Sequence, residues 1–430
     1  MADSVFNELK WRGFVAQATH PEDLSRLLDE KPLSFYVGFD PTGRSLHLGS
    51  LVPILGMMRL QKAGHTPIAL IGGATGMVGD PSGKSEERSL LTPELVRENA
   101  AGVREQLSRF LDFDSKLRNA ARMVNNNDWI SKLSCIEWLR EVGKYFTVKD
   151  MLEKDSVKSR LEREQSLSYT EFSYMIMQAY DFLHLFDAHG CLLQAGGDDQ
   201  WGNITLGISY IQKLRQKQAY GLTFPLLTTA AGGKFGKTEK GTQVWLDPAL
   251  TTPYKFYQYF INTDDKDVPR FLRLFTFLPK EEISRLEAAA AQAPEKREAQ
   301  KVLAREATAL VHGAEQAEKV ARASEVIFSE EIRAVAQDIF LEVFADAHAL
   351  TLPSESIKAA APLTLVDVLV QSTLAKSKNE ARRLLEQGGV YVNNRKAAGA
   401  DFSVKAEELL FGRFLLLRKG KKETCLVKFG

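Results

Sequence analysis

Two short segments carry residue types suited to phosphate chemistry. Asp40-Pro41-Thr42-Gly43-Arg44-Ser45-Leu46-His47-Leu48-Gly49 joins an apolar run at 33–39 to a helical pattern over 47–62. A histidine and small residues at a strand-to-helix turn aim backbone N–H groups and an imidazole at one spot. The positive end of the helix dipole lies beside it, so the turn suits an anion. Far downstream, Lys234-Phe235-Gly236-Lys237-Thr238 places two lysines and a hydroxyl on a loop that also holds Gly232 and Gly233. Each pattern alone is weak, since a Gly-bearing turn follows the first strand of many α/β proteins.

Two further sets could line a pocket. Tyr36, Gly38 and Asp40 are two residues apart, so in a regular strand they share one face. Tyr174, Gln178 and Asp181 are four and three apart and share a helical face, on a segment otherwise rich in Phe, Met, Ile and Leu. Such a polar stripe is either exposed to water or lines a polar site. Gly79-Asp80-Pro81-Ser82-Gly83-Lys84-Ser85 looks like a P-loop, but its glycines are one residue too close and position 78 is Val78, which argues against a Walker-type NTPase.

The elements that must hold these residues follow from periodicity. Strand candidates are Ser34–Phe39, Pro67–Ile71, Arg122–Asn125, Cys191–Ala195 and Leu222–Thr228. Helix candidates include Thr92–Phe110, with Thr92 as cap and Pro93 at the first helical position, then Asp128–Phe146 and Thr170–Ala188. This alternation predicts an α/β fold with a Rossmann-like doubly wound parallel sheet and ligands at the strand C-termini. Residues 1–230 are read as that domain and 231–350 as the lysine loop plus an α-helical domain. Residues 351–362 are read as a linker, and 363–430 as a small α+β module. In that module Ser377 and Glu380 fit a capping box, the helix stops at Gly388-Gly389, and a turn falls at Asn393-Asn394.

With 430 residues the chain has room for two or three domains, and its 44% apolar and 26% charged residues are ordinary for a globular protein. No apolar run reaches membrane-spanning length and no signal peptide is evident, so a cytoplasmic protein is expected. Cys135, Cys191 and Cys425 are far apart without metal-ligand spacing, consistent with reduced thiols, and no all-protein metal site is evident. The net charge of +1 hides an asymmetry. Residues 376–430 hold 13 Lys/Arg against 6 Asp/Glu, whereas the rest of the chain holds 43 against 49. A basic end on an acidic body suggests a polyanion partner, the alternative being a solvated basic face.

The turn at 40–49 and the loop at 234–238 resemble the two nucleotide-handling signatures of class I aminoacyl-tRNA synthetases. Tyr36, Gly72-Gly73-Ala74-Thr75-Gly76, Gly79-Asp80-Pro81-Ser82-Gly83-Lys84, Tyr174-x-x-x-Gln178-x-x-Asp181 and Gly196-Gly197-Asp198-Asp199-Gln200-Trp201-Gly202-Asn203 are similar, in order and spacing, to the bacterial tyrosyl enzymes. The likeness runs from about Leu33 to the C-terminus, where Leu363–Gly430 resembles the small RNA-binding domain of ribosomal protein S4.

The resemblance implies that Tyr36 and an ionised Asp181 bond the substrate phenol. Asp80, Tyr174 and Gln178 would hold its ammonium, and Gln200 would lie near its carboxylate. Thr42, His47, Lys234, Lys237 and Thr238 would clamp the β- and γ-phosphates of ATP, with Mg²⁺ on those phosphates. Gly38, Asp40, Gly49, Ser50, Gly197 and Asp199 would complete the ATP site, Asp199 on the ribose. Lys376, Lys378, Arg382, Arg383, Arg395 and Lys396 would contact tRNA phosphates, and a homodimer contact would fall near 110–146.

Two departures stand out: Ser50 replaces a second histidine of the first signature, and Asp198 replaces a common serine. A site built to bond a hydroxyl rejects the analogue lacking it by about 10⁴–10⁵, the tyrosyl enzymes being the standing example of that figure. One unsatisfied buried group costs only about 1–3 kcal/mol, so at least two partners are needed. The rivals are the tryptophan enzyme of the same subclass, which Tyr36 with Asp181 suits less well, and a non-catalytic RNA-binding scaffold.

Overall fold

A computed structural model describes residues 4–82, 90–230, 232–233, 235–237, 241–358, 363–399, 402–420 and 423–430. Two compact units emerge: Met1–Thr252 with Tyr259–Ala307, and Pro253–Gln258 with Thr308–Gly430.

The first unit is built on a six-stranded sheet: β1 (Gln17–Ala18), β2 (Ser34–Phe39), β3 (Thr66–Ile71), β4 (Arg122–Asn125), β5 (Cys191–Gly197) and β6 (Tyr220–Phe224). The strand order is β1-β6-β5-β2-β3-β4, parallel throughout except for β1 on β6. Central strands buried on both faces explain the continuous apolar runs such as Ile68-Ala69-Leu70-Ile71. One core joins Tyr36, Ile68 and Leu70 of the sheet to Met175, Ala179 and Phe182 of the helix Tyr169–His189.

The predicted strand at 222–228 is shifted to Tyr220–Phe224, because Pro225 has no N–H to continue the ladder. The predicted helix Asp128–Phe146 is broken into Asn127–Ile130, Cys135–Glu137, a π-helical turn Trp138–Val142 and a 3₁₀ turn Gly143–Tyr145. The break has a local cause. Ser134 Oγ accepts the Glu137 N–H at 3.2 Å while Glu137 Oε2 accepts the Ser134 N–H at 2.8 Å, a full capping box that starts a new helix.

In the second unit, helices Ala314–Val326 and Gln337–Val343 precede a five-stranded sheet. Its strands are β7 (His348–Leu352), β8 (Val390–Val392), β9 (Arg395–Lys396), β10 (Phe414–Lys419) and β11 (Glu423–Phe429), ordered β7-β11-β10-β8-β9. Residues 348–352, within and just before the stretch read as a linker, thus pair in parallel with β11. Ser377 caps the helix Lys378–Glu386 by accepting the Glu380 N–H, but Glu380 itself takes the Lys376 N–H, so only half of the expected box forms. Asn393 and Asn394 both have positive φ, 47° and 64°, as a tight hairpin turn between β8 and β9 requires.

Candidate active site

The strand order reverses between β5 and β2, and a cavity of ≈ 290 Å³ opens at the C-terminal ends of those strands. Tyr36 of β2 and Gln194 of β5 are register partners on its floor. Tyr36 is 1% exposed, yet its hydroxyl has no partner among the described residues, and neither has Gln194 Oε1. An unpaired buried polar atom costs about 1–3 kcal/mol, and both residues line this cavity, so each atom remains available to a polar partner. Burial, and then the nearby Asp181, hold the Tyr36 phenol well above its usual range, so it stays protonated.

The helix Tyr169–His189 supplies the opposite wall, its start fixed by Ser168 accepting the Glu171 N–H. Tyr174, Gln178 and Asp181 all line the cavity, so the polar stripe is not a solvated face. Asp181 Oδ2 accepts from Asn126 Nδ2 at 2.9 Å and Oδ1 from Trp129 Nε1 at 2.8 Å. Burial outweighs those two bonds and pushes its carboxyl up to about 7. The carboxylate form of Asp181 expected from sequence is thus disfavoured by burial and supported by its two donors, Asn126 and Trp129.

From Asp181 a line of bonds crosses the site. Asn126 Nδ2 also donates to Thr75 Oγ1 at 3.0 Å, and Thr75 Oγ1 donates to Asp40 Oδ1 at 2.7 Å. Tyr174 donates its hydroxyl to Asp40 Oδ2 at 2.8 Å. Asp40, placed with ATP in the sequence reading, is thus also the partner of Tyr174. A second line serves the other end: Gln200 Nε2 donates to Asp80 Oδ2 at 2.7 Å, and Asn203 Nδ2 donates to Gln178 Oε1 at 3.0 Å and Gln200 Oε1 at 3.2 Å.

Asn126, Trp129, Thr75 and Gln194 escaped the sequence reading as site residues. Asn203, Thr75 and the Gly-rich segments around them lay within quoted motifs, the one signal available for them. Asp199 lines the cavity beside Gly197, and burial together with Asp80 pushes its carboxyl up to about 6. Asp198, unexplained by sequence, turns to the sheet edge: its Oδ1 accepts from Thr223 Oγ1 at 2.7 Å and Gln17 Nε2 at 2.9 Å.

The end of the cavity at the turn 40–49 is built differently. Leu48 N–H donates to Val244 O and Leu246 N–H to Leu46 O, both at 2.9 Å, and His47 bridges to Trp245 in antiparallel fashion. Val244 N–H in turn donates to Gly236 O at 2.8 Å, and Lys237 bridges to Gln243. The two segments, remote in sequence, therefore lie against one another. Thr42, His47 and Lys237 are exposed, and Thr42, His47, Gly38, Gly49 and Ser50 line the cavity. A Cβ on Gly49 would meet the His47 ring at 2.8 Å, so a bare backbone there lets the imidazole fold over the turn. Lys234, Thr238 and the 83–89 part of the P-loop-like segment lie outside the described residues.

In the second unit Lys376, Lys378, Arg382, Arg383, Arg395 and Lys396 are all exposed, on or beside the helix Lys378–Glu386 and on β9. Lys378 pairs with Asp367 at 2.7 Å and Arg395 with Glu330 at 3.9 Å, contacts of little energetic weight at a surface.

Known proteins match this arrangement along the whole chain. Residues 28–329 match the model of tRNA synthetases class I (W and Y), and residues 345–427 that of the tyrosine–tRNA ligase SYY-like C-terminal domain. The chain is 48% identical to the tyrosine–tRNA ligase of Opitutus terrae, covering 99% of each. It is 49% identical to that of Geobacillus stearothermophilus, covering 98% of this chain and 99% of the relative. Its fold matches the crystal structure of a C-terminally truncated mitochondrial tyrosyl-tRNA synthetase from Aspergillus nidulans, with TM-score 0.68 and 32% identity over 75% of this chain and 94% of that one. Among the rivals left by sequence, the tryptophan enzyme is set aside by these relatives and by the C-terminal match. The chain belongs to the tyrosine–tRNA ligase family of the class I tRNA synthetases.

Proposed function

We propose that this chain activates L-tyrosine with ATP in the β2/β5 crevice and transfers the tyrosyl group to the 3′-terminal ribose of tRNA(Tyr). The observation that carries the reading is the buried, unpartnered hydroxyl of Tyr36, a residue that lines the same cavity as Asp181. A substrate phenol bridging them would donate to Asp181 and accept from Tyr36, satisfying both. The ammonium fits the Asp80, Tyr174 and Gln178 end, with Gln200 beside the carboxylate.

A carboxylate oxygen of tyrosine then attacks the α-phosphorus of ATP. The new C(O)–O–P bond forms as the bond to the β-phosphate oxygen breaks, and pyrophosphate leaves with that electron pair. No general base is required, because the nucleophile is already ionised at neutral pH. The protein's task is alignment and charge neutralisation. Asp199 would take the ribose hydroxyls. Thr42, His47, Lys237 and, by sequence, Lys234 and Thr238 would meet the β- and γ-phosphates, which carry Mg²⁺ into the site as part of the substrate.

Exposed Ile136, Leu139 and Val148 support a dimer contact at or next to the expected region, and a cytoplasmic location accords with the relatives' task. Tyrosine-dependent exchange of labelled pyrophosphate into ATP tests the reading; no exchange, or exchange driven by tryptophan, would overturn it. For the basic module, the Arg382→Ala/Arg383→Ala pair should weaken tRNA charging and flatten its salt dependence while exchange is untouched. Equal losses in both assays would refute separate tasks.

A further inference from the structure

Behind the phosphate turn runs the helix Pro93–Leu107, capped by Thr92. Its inner face is not wholly apolar. Asn99 and Gln106 are buried and seven residues apart, two helical turns on one side, with Gly102 between them. Each meets the backbone of the turn. Asn99 Nδ2 donates to Pro41 O at 3.1 Å, and a Cβ on Gly102 would meet Arg44 O at 2.3 Å. Gln106 Oε1 accepts the Leu46 N–H at 2.7 Å while its Nε2 donates to Ser45 Oγ at 2.9 Å. That hydroxyl donates to Leu46 O at 2.8 Å and accepts the Asp247 N–H at 3.2 Å. Ser45 thus joins the turn that carries His47 to the strand-like segment on which the lysine loop returns.

We infer that Gln106, acting through Ser45 and Leu46, is a positioning residue for nucleotide activation, fixing the His47 turn relative to the returning lysine-loop segment. It touches no substrate. A buried amide satisfied on both ends resists displacement, because any shift leaves polar atoms unpaired. Holding Leu46 N–H and Ser45 Oγ at once fixes the backbone on the residues just before the imidazole. The inference rests on the reading that His47 and the lysines meet the ATP phosphates.

The test uses the full chain with Gln106→Leu, Gln106→Glu, Ser45→Ala and the Ser45→Ala/Gln106→Leu double variant. Misplacing a reacting group by about an ångström costs up to about 100-fold, so Gln106→Leu should lower kcat of pyrophosphate exchange by about 10- to 100-fold. KM for tyrosine should stay within about twofold, and so should transfer from preformed adenylate to tRNA, in which pyrophosphate takes no part. Gln106→Glu keeps the acceptor for Leu46 N–H and should retain part of the lost rate. The double variant should be no slower than the slower single one, because both cut the same link.

Exchange and transfer falling together, additive losses, or an unchanged exchange rate would each overturn the inference. If Gln106→Leu fails to fold, Gln106→Glu must show the same split between exchange and transfer, and lacking it also overturns the proposal. His47→Ala separates the two levels. Full exchange in that variant refutes the phosphate reading itself, whereas loss there with none in Gln106→Leu refutes only the role of Gln106.

Discussion

The two ends of the cavity, proposed for tyrosine and for the ATP phosphates and both in the first unit, are made in opposite ways. Around the ring slot, Asp181, Asn126, Thr75, Asp40 and Tyr174 are tied into one hydrogen-bonded line, with Asp181 1% exposed. At the other end His47, Thr42 and Lys237 are exposed, and it is the backbone beneath them that is held. The difference fits the proposed tasks. Telling tyrosine from phenylalanine needs buried groups that cannot relax, so that a missing hydroxyl leaves them unpaired. Neutralising the charge that builds on a leaving pyrophosphate needs donors that reach the phosphates, which exposed side chains held from a fixed backbone can supply.

The contrast breaks if both ends respond alike to substitution. Lys237→Ala should lower kcat for exchange by about 10²–10³, the cost of one lost charge-stabilising donor, with KM for tyrosine within twofold. A matching rise in that KM would mean the phosphate end also shapes the ring slot. Tyr36→Phe should reduce selectivity for tyrosine over phenylalanine by about 5- to 150-fold, the value of one buried hydroxyl partner of about 1–3 kcal/mol. Unchanged selectivity would remove Tyr36 from the phenol site.

A pH series sharpens the comparison. On the proposed reading the carboxylate form of Asp181 accepts the phenol; burial raises its carboxyl to about 7, so protonation would compete with substrate. Below pH 7, kcat/KM for tyrosine should fall by about tenfold per unit, and it should level off above. In the complex the bound phenol favours the carboxylate, so the kcat profile should lie at lower pH. Asp181→Asn should abolish the dependence, and a flat wild-type profile would count against the pocket chemistry. Smallest is Tyr259→Phe. The Tyr259 hydroxyl accepts the Gly236 N–H at 2.9 Å, and its ring packs on Phe235 beside Phe271 and Phe275. Losing one neutral bond of about 0.5–1.5 kcal/mol should slow exchange two- to twelvefold with thermal stability little changed. A large loss would show the loop to be as rigidly built as the ring slot.

Much of this was legible because local signals are repetitive. The strands β2 to β5 followed from apolar runs, and Tyr174, Gln178 and Asp181 could be placed on one face by counting. What escaped depends on partners distant in sequence. Asn126 and Trp129 sit just past β4, and nothing nearby announces that Asp181, more than fifty residues on, is their acceptor. Asp198 stood out only as a replacement for a common serine, and its carboxylate accepts from Thr223 and Gln17, neither of them near it in sequence. The helix at 128–146 failed because its apolar periodicity continues through a serine that restarts the backbone.

Strand β1 has a consequence for biosynthesis. Gln17 and Ala18 are made some two hundred residues before their partners Thr223 and Leu222. Until then the growing sheet has no neighbour for its edge and presents open ladder groups, the condition in which nascent chains stick to one another. The N-terminal segment closes that edge only once β6 exists, so the first piece of the sheet to be synthesised is the last to be zipped in.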